Sequence, residues 1–118
     1  MNVKIKVISI IGKSRLTETE DAEKIVCAIK EILDQGHCVH LSFQGIEEFL
    51  CAPIRLIGFQ LYDGTEKYLY IHNDVEIVDL DDENKCLMHV IIKNVHRYMQ
   101  RQSEYDEAWK MYEDGEES

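Results

Sequence analysis

The spacing of the apolar residues changes along the chain, and this change limits the fold more than any other feature of the sequence. Residues 3–10 alternate valine and isoleucine with lysine and serine, which is the period of a β-strand with one solvated face. The next apolar residues share one side of a helix, expected over about residues 18–35 with a stop at Gly36. Thr17 and Glu20 form a capping-box pattern at its start. A strand followed by a helix favours an α/β fold.

The middle of the chain repeats this order of strand and helix. Residues 39–43 predict a second strand, and the following turn leads to a helix that has Pro53 in its first turn and ends near Tyr62. We expect one buried stripe on this helix, formed by Ile54, Ile57 and Leu61. Gly58 lies within the stripe and permits close approach of a neighbouring element.

The last third of the chain predicts a strand and a long helix. Residues 75–80 are rich in β-branched side chains and predict a strand, whereas residues 67–72 fit either a strand or a helical turn. Asp81 or Asp82 is expected to cap the final helix. We expect this helix to bury one face, formed by Cys86, Leu87, Val90, Ile91, Val95 and Tyr98.

The composition is that of a single acidic domain. The chain has 118 residues, a usual size for one domain with its own core. Its 13 basic and 23 acidic residues give a formal charge of −10, which repels phosphate backbones and anionic lipids. We therefore expect neither nucleic acid nor a membrane as a partner. No apolar run has the features of a membrane span or a signal peptide, so the expected location is the cytoplasm.

The cysteines and histidines do not form a metal-binding pattern. The cysteines are widely spaced and are expected to be reduced and mostly buried; they are Cys27, Cys38, Cys51 and Cys86. In a strand, His37 points away from Cys38 and His40, so these three do not converge on one ion. His89 and His96 are two helical turns apart, too far to share an ion without further ligands. We expect no metal and no cofactor.

Residues 103–118, the acidic tail, differ in composition from the rest of the chain. They contain seven acidic residues and one lysine, a net charge of −6, which leaves −4 for residues 1–102. Aromatic residues recur along one side of a continued helix, at Tyr98, Tyr105, Trp109 and Tyr112. This stripe has three interpretations: it packs on its own domain, it forms an interface with a partner or a second copy, or it belongs to a frayed end.

Three short strings between Val39 and Tyr62 carry a resemblance to a known family. They are Val39-His40-Leu41-Ser42-Phe43-Gln44-Gly45-Ile46, Cys51-Ala52 and Gln60-Leu61-Tyr62. In these strings and in the order of its elements, the chain resembles the bacterial STAS-like domain family over about residues 5–100. On this basis, residues 1–102 are expected to form a STAS-like domain, followed by the acidic, partly helical tail at 103–118.

The resemblance implies a fold similar to that of anti-sigma factor antagonists. Such an α/β domain has a small mixed sheet of about four strands packed by helices, here with a long C-terminal helix. It implies a non-enzymatic regulator that binds another protein, possible partners being a histidine-kinase-like ATPase or another regulator. In the related antagonists, the partner kinase phosphorylates a loop serine before the binding helix, which can break the interface.

The chain departs from those antagonists at the switch position. The family's loop serine falls at Cys51, followed by Ala52 and Pro53, so no hydroxyl is present there. Arg55 replaces an expected small polar residue and changes the surface that a partner meets. A thiol before a helix N-terminus can become reactive, which leaves a thiol-dependent enzyme using Cys51 as one alternative. The other interpretation is a small residue that fills the junction of loop and core.

The main functional hypothesis is a protein-binding domain that docks through the loop and helix at residues 45–62. Its candidate contact residues are Gln44, Glu47, Glu48, Cys51, Arg55 and Phe59. Phe59 lies off the buried stripe of its helix, so exposure of this ring would support an interface there. The alternative is a structural or assembly subunit that forms homo-oligomers through Tyr105, Trp109 and Tyr112.

Overall fold

The computed structural model describes the backbone of residues 1–117 and the side chains of residues 1–102. The strands in this part of the chain are β1 (Asn2–Lys6), β2 (Arg15–Leu16), β3 (Cys38–Ser42), β4 (Glu48–Phe49), β5 (Tyr70–His72) and β6 (Val75–Val78). The helices are α1 (Val7–Ile11), α2 (Thr19–Asp34), α3 (Cys51–Leu61) and α4 (Asp82–Glu117). Strands and helices alternate along the chain, as the change of apolar spacing predicts, except that β4 follows β3 and β6 follows β5 without a helix between them.

Four strands form the main sheet in the order β1-β3-β6-β5. The first three are parallel, so that Val39 of β3 lies opposite Val3 of β1 and Val75 of β6. Strand β5 pairs with β6 in the antiparallel direction. The two-residue strands β2 and β4 form a separate parallel pair. The α/β class and the mixed sheet of four strands are therefore confirmed.

One face of the main sheet is apolar and packs against the helices. Residues such as Val39, Leu41 and Ile77 are fully or almost fully buried there, together with Ile54 and Ile57 of α3. Because side chains alternate along a strand, the residues between them point to the other face. The expectation that β1 has one solvated face follows the same alternation and is confirmed.

The opposite face of the sheet is polar and partly solvated. Register places Lys4, His40, Glu76 and Tyr70 in one row across the four strands. The Tyr70 hydroxyl donates to Glu76 over 2.9 Å, and this hydrogen bond raises the pKa of the Tyr70 hydroxyl above its usual value. The sheet is thus covered by helices on one side, in two layers.

The first strand is shorter than its alternating sequence predicts. The expected strand over residues 3–10 ends at Lys6, where its partner β3 also ends at Ser42. Val7 and Ile11 then bury on one side of the short helix α1, because positions four apart face the same way in a helix. Gly12 ends α1 in the left-handed conformation, with φ of 72°.

Two further predictions about local structure are wrong, and a third is only partly right. Helix α2 has Glu18 at its N-cap without a side-chain capping bond, so the Thr17/Glu20 capping box does not form. The cysteines are not mostly buried: Cys27, Cys51 and Cys86 are exposed. On α4 the expected buried face is only partly right, because Cys86, Leu87, Val90 and Tyr98 are exposed. The residues that α4 buries are Met88, Ile91, Ile92, Val95 and His96.

The first turns of α3 and α4 agree with the predictions from the sequence. Pro53 lies in the first turn of α3, and the buried stripe of Ile54, Ile57 and Leu61 is confirmed. The Asn84 amide donates to the Asp81 carboxylate over 2.7 Å, which confirms Asp81 as the residue that caps α4. None of the helices in the described residues is long and apolar enough to span a lipid bilayer.

Candidate functional site

The loop between β3 and α3 leaves the sheet at the carboxyl end of its central strand. The Ile46 amide donates to the Phe43 carbonyl, which closes a turn in which Gly45 has φ of 83°. A Cβ at Gly45 would lie 3.1 Å from the Ile8 side chain, so both the backbone and the space favour glycine. The carboxyl ends of parallel strands are the usual position of binding loops in open α/β sheets.

Two backbone hydrogen bonds hold this loop against the preceding connection. The Glu47 amide donates to the Ser14 carbonyl, and the Leu50 amide donates to the Leu16 carbonyl, at the two ends of the short β2–β4 pair. Phe49 is buried and lies edge-on to Phe43 with ring centroids 5.6 Å apart. The loop therefore delivers α3 in a defined position.

Below the loop, one polar cluster joins the ends of β3 and β6 to β1. The Ser42 hydroxyl donates to the Asp79 carboxylate over 2.5 Å and accepts the Gln44 amide, and the Lys4 ammonium lies 2.9 Å from the same carboxylate. The hydrogen bond from Ser42, with the Lys4 contact, holds the pKa of Asp79 below its usual value. Asp79 has φ of 62°, a conformation that aspartate tolerates better than most residues. Ser42 is fully buried, so this cluster fastens the loop.

Helix α3 presents an exposed stripe beside its buried one. Cys51, Arg55 and Phe59 are spaced by four residues, which places them on one face of the helix, and all three are exposed. Phe59 is 38% exposed, which confirms the expectation that it lies off the buried stripe. Its ring contacts that of Tyr98 on α4, with centroids 5.4 Å apart.

The exposed stripe of α3 and the neighbouring side of α4 enclose a groove of about 580 Å³, the α3–α4 groove. Its lining residues are Arg55 and Phe59 from α3, and Asn94, Val95, Arg97, Tyr98 and Arg101 from α4. Gly58 lets the two helices come close enough to form it, because a Cβ there would lie 3.0 Å from a Val95 methyl group. The groove thus depends on a close helix contact.

The charge of this groove is opposite to that of the whole chain. Arg55, Arg97 and Arg101 give three positive charges, and among residues 1–102 no carboxylate lines the groove. Within residues 1–102, none of the three arginines forms a salt bridge. Arginine and aromatic side chains are the residue types most enriched in protein-binding hot spots. The groove is therefore suited to an anionic segment that carries apolar or aromatic side chains.

The structure separates the six predicted contact residues into two patches. Arg55 and Phe59 line the α3–α4 groove, and Cys51 lies at the start of the same helical face. Gln44, Glu47 and Glu48 are exposed on the loop instead. There, the Ser14 hydroxyl donates to Glu47 over 3.3 Å, and Arg15 lies 3.8 Å from Glu48.

Sequence reasoning missed Arg97 and Arg101 and placed Tyr98 on the wrong face. The two arginines are four residues apart and therefore share a helix face, a signal visible in the sequence. The groove residues of α3, Arg55 and Phe59, lie about forty residues earlier in the chain, so no short sequence motif contains both segments. The side chains of Tyr105, Trp109 and Tyr112 lie outside the described residues, so assembly through them stays a prediction.

A second cavity lies between α4 and the segment before β5. It has a volume of about 290 Å³, and its lining residues are Glu66, Lys67, His89, Ile92, Lys93, His96, Arg97 and Gln100. Burial lowers the pKa of His96, whose ring lies 5.6 Å from that of Tyr62. The Gln100 amide bonds to Glu66 across the cavity mouth. In the part of the chain that is described, no cluster of three or more histidine, cysteine, aspartate or glutamate residues is arranged to hold a metal ion.

Comparison with known proteins gives no relative from which a function could be carried over. The sequence matches no protein-family model, and neither the curated proteins nor the solved structures contain a significant match.

Proposed function

We propose that this chain is a non-enzymatic regulatory domain of the STAS-like type that binds another protein through residues 45–62. The observation that carries the proposal is the α3–α4 groove, where Arg55 and Phe59 meet Arg97, Tyr98 and Arg101. A partner with acidic and apolar groups would complement this surface. The resemblance to anti-sigma factor antagonists makes a histidine-kinase-like ATPase, or another regulator, the first class of partner to test.

The geometry of α3 supports binding by a preformed surface. The loop before the helix is held by backbone bonds to residues 14 and 16, and Phe59 is fixed against Tyr98. A surface that is ordered before binding loses less conformational entropy when the partner docks. Cys51 leaves no hydroxyl at the position of the family's switch serine, so in this proposal the partner is not released by phosphorylation there.

Affinity capture from the native host tests the proposal with three forms of the chain. The test variant is Arg55→Ala with Phe59→Ala, which removes one cation and one aromatic ring from the groove. The matched control is Lys30→Ala with Tyr68→Ala, which removes an exposed cation from α2 and an exposed ring that contacts His89. We expect the control to recover the same proteins as the wild type, and the test variant to lose a specific protein.

Purified components then give the decisive measurement. For that protein, the test variant is expected to raise the dissociation constant by more than tenfold, because hot-spot truncations cost about 2 kcal/mol or more. The control is expected to change it by less than about twofold. Equal recovery by all three forms, or equal affinities, would show that binding does not use this face.

A further inference from the structure

The α3–α4 groove and the acidic tail of this chain carry opposite charges, and both contain aromatic side chains. The groove carries three arginines and the two rings of Phe59 and Tyr98. The tail, residues 103–118, has a net charge of −6. It also carries three large aromatic residues, at Tyr105, Trp109 and Tyr112. Acidic groups suit the arginines, and aromatic groups suit the rings that line the groove.

We propose that the α3–α4 groove binds the acidic tail of a second copy of this chain, so that two chains pair through their α4 helices. This inference goes beyond the proposed function, because it concerns what the groove binds when no other protein is present. It also extends the assembly hypothesis, since it assigns the surface that receives the aromatic tail.

The tail of the same chain cannot bind in its own groove, because of the direction in which α4 runs. This helix is continuous from Asp82 to Glu117, and residues 94–101 of the same helix form one wall of the groove. A helix rises about 1.5 Å per residue, so residues 103–117 run about 22 Å further along the axis. A continuous helix cannot fold back on itself, and the tail can reach a groove only in another molecule.

The arrangement is reciprocal and closed. If the tail of one chain lies along residues 94–101 of its partner, the two α4 helices run antiparallel, and the partner's tail lies in the first groove by the same two-fold rotation. Each groove wall is about 12 Å long, so a 22 Å tail is long enough to span it. Attraction between the basic groove and the acidic tail favours this register, and added salt weakens that attraction.

Charge exchange between groove and tail provides the test. One variant carries Arg97→Glu and Arg101→Glu, which leaves the groove with a net charge of −1. The other carries Glu104→Lys, Asp106→Lys, Glu107→Lys, Glu113→Lys and Glu117→Lys, which changes the net charge of the tail from −6 to +4. In each variant alone, groove and tail have the same sign of charge, so we expect the single-chain mass of 13.8 kDa by light scattering. The wild type is expected at twice that mass in low salt and to dissociate in high salt.

An equimolar mixture of the two variants is the decisive sample. The acidic groove of the first faces the basic tail of the second, and the basic groove of the second faces the acidic tail of the first. We therefore expect the mixture to recover the doubled mass that neither variant shows alone. Lys93→Glu, on α4 but outside the groove lining, is the matched control and should keep the wild-type mass.

Three results would overturn this inference: a wild-type chain of single mass in low salt, a doubled mass that the groove variant retains, or a mixture that stays at single mass. Circular dichroism of each variant confirms that the helices are kept. The tail variant also separates this inference from the proposed function, because it retains Arg55 and Phe59. If it loses self-association but still captures a partner protein, the two properties are independent.

Discussion

Gly58 of α3 lies directly against Val95 of α4, so closely that a Cβ at Gly58 would be 3.0 and 3.3 Å from the two Val95 methyl groups. Both residues are buried. The contact brings the two helices together immediately beside the groove, which Val95 itself lines. The shape of the candidate site therefore depends on the absence of a single side chain.

Gly58→Ala is expected to lower the free energy of unfolding by about 1 kcal/mol. Alanine favours a helix over glycine by about 1 kcal/mol, but overpacking of a filled core costs about 1–3 kcal/mol. Val95 has a β-branched side chain with few rotamers, and both of its methyl groups face Gly58, so it cannot turn away. Urea unfolding of the wild type and the variant measures the difference.

The second step of that experiment identifies the cause. Val95→Ala alone should cost about 2 kcal/mol, but in its background Gly58→Ala should become neutral or stabilising, because the clash is gone and the helix preference remains. Gln60→Ala, at an exposed position of α3, is the control and should change stability by less than about 0.5 kcal/mol. Additive losses at positions 58 and 95 would contradict the close-contact explanation.

Asp79 should make the fold less stable in acid. Its pKa is lowered in the folded state, first by the hydrogen bond from Ser42 and then by Lys4. A lowered carboxyl pKa contributes stability that is present above its unfolded value of about 3.9 and is lost as the pH falls through the folded pKa. Asp79→Asn should therefore unfold more easily at pH 7, with the difference from the wild type shrinking below about pH 4.

Asp79→Asn changes the charge at position 79 and keeps a residue that adopts the same backbone conformation. Asparagine tolerates a positive φ about as well as aspartate, so Asp79→Asn tests the charge and not the strain. Asp74→Asn is the control, because it also removes one negative charge, at the amino end of β6, where the side chain does not contact Lys4. A constant difference between wild type and Asp79→Asn from pH 7 to pH 2 would show that the carboxylate charge is unimportant.

Periodicity predicts the parts of this fold in which one face is buried. The helix stripe of Ile54, Ile57 and Leu61 and the exposure of Phe59 follow from spacing alone, because α3 is polar or exposed on only one side. Helix α4 is harder, since Leu87 and Val90 are apolar but 43% and 54% exposed. With apolar residues on several sides, the pattern does not specify which face is buried.

The remaining differences come from contacts between distant segments. The two-residue strands β2 and β4 are too short to carry a period, and their pairing depends on backbone bonds between residues 14–16 and 47–50. Val7 and Ile11 fit a strand alternation and a helical turn equally well. The α4 wall of the groove meets α3 only after folding, so Arg97 and Arg101 could not be joined to Arg55 from one sequence.

His96 is expected to destabilise the fold as the pH falls below neutral. Burial is the main cause that lowers its pKa in the folded state, opposed by Glu66, the Tyr70 backbone and Asp63. The unfolded chain then binds a proton near pH 6.5 while the folded chain does not, so stability falls as the pH drops through that value. Between pH 7.5 and 5.5, His96→Gln should lose less stability than the wild type.

A second histidine on the same helix provides the comparison for His96. His89 is partly exposed, its ring lies 4.7 Å from that of Tyr68, and it is the smallest of the causes that shift the pKa of His96. His89→Gln should therefore leave the effect of burying the His96 ring in place. A single proton accounts for at most about 1.4 kcal/mol per pH unit. Identical pH profiles for wild type and His96→Gln would contradict the role assigned to burial of the ring.

The alkylation rates of the four thiols of this chain should show which surface a bound partner covers. In the free protein, the exposed Cys27, Cys51 and Cys86 should be alkylated faster than Cys38, which is partly buried and lies 3.6 Å from Asp74. A partner bound through residues 45–62 should slow alkylation at Cys51 and leave Cys27 on α2 unchanged, as measured by mass spectrometry of the labelled peptides. Since both thiols belong to one molecule, Cys27 corrects for changes in reagent or folding. Equal slowing at both positions, or slowing at Cys27 alone, would place the partner elsewhere on the surface.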